Sequence, residues 1–286
     1  MIPGQFEYHA PASLREATEL LARLPDAKIV AGGMSLIPAM KHRLACPAAL
    51  VDIARIPDLD VLREKRGRLV IGALVTHATL ASRAELADLA LVREAASAIG
   101  DVQVRNRGTI GGSLVHADPA GDWPAVFLAL DGEAAVVGPK GERTIAAGDF
   151  FTGMLASALG GDEVLTEVRL PVERRRSGSA YCKLRQTASG FAVVGVAVQL
   201  VLDRGGRCEK AGIAITGVNS MPFRAASLEA RLMGRSLDSA ELAGLCAQID
   251  ELDPTEDIHA SARYRRHLAS VYARRAIARA AERART

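Results

Sequence analysis

The chain has 286 residues, enough to bury a sizeable core divided among two or three domains. Hydrophobic residues make up 49% and charged residues 24%, an ordinary soluble composition, and a formal net charge of +3 is too small to point to a nucleic-acid partner. The longest apolar stretch, 191–202, contains Gly195 and Gln199 and falls short of the ~20 residues a membrane-spanning helix needs; the opening Met1-Ile2-Pro3-Gly4 lacks the basic and apolar regions of a signal peptide, so a cytoplasmic enzyme is expected.

The elements follow from local signals. Ser13-x-x-Glu16 is a capping box, and Leu14, Ala17, Leu20, Leu21 and Leu24 follow at helical spacing, predicting a helix of about 12 residues that Pro25-Asp26 ends. Residues 28–31 read as a short strand feeding the run AGGMSLIP at 31–38, in which Pro38 sits near the start of the next helix. A second strand at 49–53 completes a small α/β lobe over 1–57. A second lobe, 58–172, has strands at 69–73, 134–138 and 164–170 and helices at 78–81, 89–99 and 123–130. Between the last two helices lies RNRGTIGGSLVHADPAGD at 105–122. The charged connection VERRRSGS at 172–179 marks a boundary, and a third domain occupies 176–286. Its strand-like runs at 180–185, 191–202 and 209–218 precede helical patterns at 223–233, 239–251 and 260–283. Three strands then three helices predict an α+β domain with helices on one face of a three-stranded sheet. The last helix carries eight arginines, with Tyr264, Leu268, Val271 and Tyr272 on one face; a packed helix with a solvated basic side is favoured over a partner-docking surface.

Chemistry concentrates in the two small-residue runs, each expected just after a strand. Neither is a G-x-G-x-x-G nor a G-x-x-x-x-G-K-[ST] loop. Two such loops suit a ligand with two linked phosphates, because glycine lets backbone N–H groups approach an anion and a helix start adds partial positive charge. In the first run the binding candidates are Ala31, Gly32, Gly33, Met34, Ser35 and Leu36, chiefly through main-chain N–H groups, with the Ser35 hydroxyl adding one bond. A tight strand-to-helix turn is the alternative for Gly32-Gly33 taken alone. In the second run they are Thr109, Gly111, Gly112 and Ser113. Tyr181 and Lys183 alternate on one strand face. Cys46, Cys182, Cys208 and Cys246 are far apart with no C-x-x-C, which predicts ordinary thiols and no metal or iron–sulfur site. No Ser-His-Asp order, H-E-x-x-H or paired-carboxylate pattern occurs, so the hard chemistry must belong to a cofactor.

The two runs, together with MIPGQFEYHAPASLREATELL at 1–21, IGALVTHATL at 71–80, DEVLTEVRLP at 162–171, YCKLRQTASGFAVVGVAV at 181–198 and AITGVNSMPFRA at 214–225, resemble the FAD-binding medium subunit of the molybdenum-hydroxylase family. That family includes carbon monoxide dehydrogenase and xanthine dehydrogenase-like enzymes. The resemblance implies a two-lobed FAD-binding domain of the vanillyl-alcohol-oxidase type followed by a C-terminal α+β domain. It implies non-covalent FAD, with the molybdenum cofactor and [2Fe–2S] clusters on a large and a small partner subunit, in a heterotrimer or a dimer of heterotrimers. Electrons would pass to NAD or a quinone. By resemblance, the second run meets the diphosphate and sugar-alcohol chain, and Asp122 accepts hydrogen bonds from that chain's hydroxyls. Asp118 is a further candidate that, as Asp-Pro, also shapes a turn. Thr76 and His77 lie near the cofactor, His77 being favoured as structural. Leu165 lies by the isoalloxazine ring or is strand core, or both. Lys183 would stabilise the reduced ring and Tyr181 shield its face. A stand-alone flavin-dependent NADH oxidase or dehydrogenase, and a non-catalytic assembly scaffold, are the alternatives.

Overall fold

A computed structural model describes residues 2–86 and 89–286 of the chain. The N-terminal lobe contains β1 (Glu7–His9), α1 (Leu14–Arg23), β2 (Ala27–Val30), α2 (Leu36–Lys41) and β3 (Ala49–Asp52). Its strands form a parallel sheet in the order β1-β3-β2. α1 starts with one half of the capping box: Ser13 Oγ accepts the Glu16 N–H at 3.2 Å, while the Glu16 carboxylate reaches one residue past the N-cap, to the Ala12 N–H at 2.9 Å. The helix buries Ala17, Leu20 and Leu21 against Val51, Ile53 and Val164.

The second lobe comprises β4 (Leu62–Lys65), β5 (Arg68–Gly72), α3 (His77–Ser82), α4 (Ala90–Ala98), α5 (Val102–Arg107), α6 (Ile110–His116), α7 (Asp122–Ala129), β6 (Glu133–Gly138), β7 (Gly141–Ala146), α8 (Ala147–Phe150), β8 (Phe151–Gly153), β9 (Ala156–Ser157) and β10 (Val164–Pro171). An antiparallel sheet runs β4-β5-β10-β6-β7. Ile71, Val136, Val168 and Leu170 on its inner face pack with Trp123 and Phe127 of α7. Every residue of α7 is buried, as a helix apolar on all sides must be. Asp122 is therefore an acid at the tip of a helix wholly inside the protein.

The C-terminal domain holds β11 (Ser177–Arg185), β12 (Ala192–Leu202), β13 (Cys208–Thr216), β14 (Phe223–Arg224), α9 (Ala226–Leu232), α10 (Ser239–Leu245) and α11 (Ala262–Arg285). Its sheet has four strands, β11-β12-β13-β14, where three were expected. Phe223 and Arg224 fall within the helical pattern expected over 223–233. They pair instead with Ile215 and Ala214, and Arg224 binds Glu229 and Asp131, which holds it extended at the sheet edge. The helical pattern expected over 239–251 stops at Leu245.

α11 lies across β11 and β12 on a stripe of small residues, Ala269, Ala273, Ala276, Ala280, Ala281 and Ala284, with Ile277. The approach is close: a Cβ on Gly178 would fall 2.0 Å from the Ala280 carbonyl oxygen. Leu268 belongs to this face, whereas Tyr264 is 47% exposed and does not. The expected helix face was thus rotated from the observed one, because alanines supply the seam in place of large side chains.

Candidate cofactor site

β2 delivers the first run and α2 follows it. Gly33 has φ +74°, which glycine adopts without strain. The N–H groups of Gly32, Gly33, Met34 and Ser35 meet no protein acceptor among the described residues. Ser35, at the start of α2, makes no side-chain capping bond, so its hydroxyl is free of that duty. Gly32 has a different reason to be glycine: a Cβ there would lie 2.0 Å from the Arg107 carbonyl oxygen. The two runs are in contact at that point.

The second run departs from expectation, since it follows a helix and not a strand. α5 ends at Gly108, and Thr109 caps α6 by accepting the Gly112 N–H at 3.1 Å. Gly111 and Gly112 thus lie within a helix's first turn. Their amides are taken, as are those beside them: Ile110 donates to Val75 O, Gly111 to Ala73 O and Ser113 to Thr109 O, each at 3.0 Å. Gly111 exists for packing, because a Cβ would stand 2.6 Å from Ala73 Cβ and 2.8 Å from Leu165 Cδ2. Gly112 is exposed, and a Cβ on it would come within 3.9 Å of Ala31 Cβ across the gap between the runs. This leaves a cradle between the run that carries the unbonded amides and a residue without a side chain. Its donor set fits an anionic diphosphate.

Thr76 caps α3, accepting the Thr79 N–H at 3.2 Å, and its backbone bridges to Thr109. His77 is 4% exposed; its N–H donates to Gly108 O at 3.0 Å, and its Nδ1 accepts the Trp123 Nε1–H at 3.0 Å. Burial, assisted by the Arg105 charge, pushes its pKa down to about 4. It is a neutral brace between α3, α7 and the residue before Thr109. Leu165 is buried on β10 beneath Gly111, and so serves as core.

Asp122, Tyr181 and Lys183 meet. The Tyr181 hydroxyl donates to Asp122 Oδ1 at 2.5 Å, and Lys183 Nζ stands 2.8 Å from Oδ1 and 2.9 Å from Oδ2. Lys183 also donates to Ala98 O at 3.1 Å. The lysine and aspartate side chains are 5% and 6% exposed. Burial raises the Asp122 pKa, and the Lys183 ammonium and the two donated hydrogen bonds oppose that rise. Burial and the adjacent carboxylate hold the Tyr181 phenol well above its ordinary value, so it remains a proton donor. Tyr181 is itself 4% exposed, its ring in the core rather than over an open face. Asp118 accepts the Ala120 N–H at 2.8 Å, shaping the turn before Gly121.

Residues 4–173 match the family described as FAD binding domain in molybdopterin dehydrogenase, and residues 179–280 match the CO dehydrogenase flavoprotein C-terminal domain. The chain belongs to the FAD-binding medium subunits of the molybdenum-hydroxylase family. It is 40% identical to the carbon monoxide dehydrogenase medium chain of Afipia carboxidovorans, covering 99% of both chains. It is 38% identical to the nicotine 6-hydroxylase medium subunit of Paenarthrobacter nicotinovorans, covering 96% of this chain and 97% of the other. It superposes on the structure of carbon monoxide dehydrogenase from Hydrogenophaga pseudoflava, which lacks the Mo-pyranopterin moiety of its cofactor, with TM-score 0.95, 40% identity and 99% of both chains covered.

In this medium subunit the C-terminal domain also grips the turn that delivers Asp122. Thr216 Oγ1 lies 2.7 Å from both Pro119 O and Gly121 O, Gly217 N–H donates to Pro119 O at 2.7 Å, and Ala192 N–H donates to Ala120 O at 3.2 Å. Nothing in the sequence singles these residues out. A threonine and a glycine after a strand carry no local mark of a contact almost a hundred residues away.

Proposed function

We propose that this subunit holds one FAD non-covalently between the two runs and relays electrons from a [2Fe–2S] partner subunit to an acceptor such as NAD or a quinone. The observation that carries the reading is that the run with the unbonded amides of Gly32 to Ser35 lies beside exposed Gly112, with Ala31 as the point of closest approach. Those amides donate to the diphosphate, with the Ser35 hydroxyl as an added donor. The flanking Ala31 and Leu36 contribute backbone shape. Thr76 and Thr109 spend their hydroxyls on helix caps, so their part is to shape the cradle. Asp122 has lone pairs left after binding Lys183 and Tyr181, and these accept from the hydroxyls of the sugar-alcohol chain. The Lys183 ammonium supplies fixed positive charge where the reduced ring becomes negative. Tyr181 orients the Asp122 carboxylate. Bound FAD joins a one-electron relay to a two-electron acceptor, which none of this chain's side chains can do.

The relatives above are the medium chain of a carbon monoxide dehydrogenase and the medium subunit of a nicotine 6-hydroxylase. This chain accordingly assembles with an iron–sulfur small subunit and a molybdenum-cofactor large subunit, as a heterotrimer or a dimer of heterotrimers. Among the described residues no helix is long and apolar enough to cross a membrane, and a cytoplasmic complex is the proposed setting. Acid denaturation of the purified protein should release FAD into the supernatant at one equivalent. Flavin retained in the precipitate, or FMN as the released species, would refute the cofactor assignment. Substrate should bleach the flavin only when both partners are present. Bleaching by this chain alone would establish a stand-alone flavoenzyme, and a colourless chain that rejects added FAD would establish a scaffold.

A further inference from the structure

β11 is an edge strand of the C-terminal sheet, so alternate N–H and C=O groups along it lack a strand partner. α4, from the FAD-binding domain, lies along that edge and meets it at one-turn intervals. The Leu91 N–H donates to Ser179 Oγ at 3.2 Å, Glu94 meets Tyr181, and Ala98 O accepts from Lys183 Nζ at 3.1 Å. Helical turns of about 5.4 Å run beside strand residue pairs of about 6.6 Å, close enough for three successive contacts.

Glu94 is the central contact, and its two oxygens divide their work. Oε2 accepts the Tyr181 N–H at 2.9 Å. Oε1 pairs with Arg279 at 2.7 Å and Arg283 at 2.5 Å, both on α11. Arg283 in turn donates to Ser179 O at 2.6 Å. Glu94 and Arg283 therefore replace a neighbouring strand at Ser179 and Tyr181, where the main chain must be held for the side chains of Tyr181 and Lys183 to reach Asp122. A carboxylate that only tied two domains together would need the arginines and not the strand amide.

We propose that Glu94 is a positioning residue for the cofactor site: it fixes the Tyr181 main chain and links it to the C-terminal helix, setting the approach of the Tyr181 hydroxyl and the Lys183 ammonium to Asp122. The link to cofactor rests on the reading that Asp122 and Lys183 face the flavin. The basic face of α11 thereby gains a use inside the molecule.

The test is 19F NMR of the full chain labelled with 3-fluorotyrosine, with the Tyr181 line assigned by Tyr181→Phe among the four tyrosines. Glu94→Ala should move the Tyr181 line, leave those of Tyr8 and Tyr264 in place, and weaken FAD binding about tenfold, the worth of roughly one hydrogen bond. Arg283→Ala should move the same line less and in the same direction, and the double variant should add little to Glu94→Ala, as expected for residues acting in series. A folded Glu94→Ala protein with an unmoved Tyr181 line overturns the proposal. Should that variant not fold, an unmoved line in Arg283→Ala overturns it equally. A moved line with unchanged FAD affinity in both Glu94→Ala and Lys183→Met supports the positioning and removes the triad from the flavin.

Discussion

Residues 31–36 and 109–113 both place paired glycines at a helix start, yet the amides of Gly32 to Ser35 meet no protein acceptor among the described residues, while those of Ile110 to Ser113 are all taken. Each run spends one glycine on packing, Gly32 against the Arg107 carbonyl and Gly111 against Ala73 and Leu165. The remaining two differ in turn: Gly33 supplies a positive φ, and Gly112 leaves an open surface. Similar composition thus covers two jobs. The first run offers donors, and the second presents a smooth wall braced from beneath by His77 and Trp123.

The sharpest test of this contrast is Gly112→Asp. A carboxylate near the helix start suits the fold but confronts the diphosphate with like charge. At an effective dielectric of ~20 a close pair of unit charges repels by about 4 kcal/mol, or roughly a thousandfold in affinity. The variant should fold normally, with only the Thr109 hydroxyl giving way, and lose FAD on gel filtration. Full FAD content in the folded variant places the phosphates elsewhere.

The bracing of the second run should respond to acid. Burial lowers the His77 pKa to about 4 from its ordinary value of 6.5, so between these values the unfolded chain binds the extra proton. Stability therefore rises with pH across this window and falls as pH drops from 6.5 to 4, by about 3 kcal/mol at most. Urea unfolding from pH 4 to 7 should show that slope, and His77→Asn should flatten its share. Equal slopes in the two proteins would remove His77 as its source.

Gly111→Ala should cost about 2 kcal/mol of stability, because the added Cβ meets Ala73 backbone and Leu165. The melting temperature should fall even in the FAD-free protein. An unchanged value would mean that α6 can shift freely, against the packing role given to this glycine.

The smallest effect is expected at Ser35, whose hydroxyl caps nothing. Ser35→Ala should leave stability within ~0.5 kcal/mol and weaken FAD binding about fivefold, the worth of about 1 kcal/mol. A loss of stability matching the loss of affinity would make the first run structural like the second.

Much of the fold was legible in local signals. The helix start at Ser13, the buried run 192–202 and the arginine-rich terminal helix all form where local pattern puts them. Two strands without a local signal, LREK of β4 and GERTIA of β7, show little apolar patterning because water covers most of their residues. At the site, glycines, hydroxyls and Asp122 were visible as residue types in suggestive positions, and Tyr181 and Lys183 as alternating residues of one strand.

The sequence by itself determined the family, the division into a FAD-binding part and a C-terminal part, and which residue types stand in the two runs, because caps, periodicities and motifs are local properties of the chain. Only the tertiary structure decided that Asp122 is shared by Tyr181 and Lys183, that Gly32 and Gly111 serve packing, and that Glu94 serves an edge strand 87 residues away. Those outcomes depend on which amides find protein partners and which face solvent. Such pairing is settled when distant elements come into contact, and no local spacing encodes it.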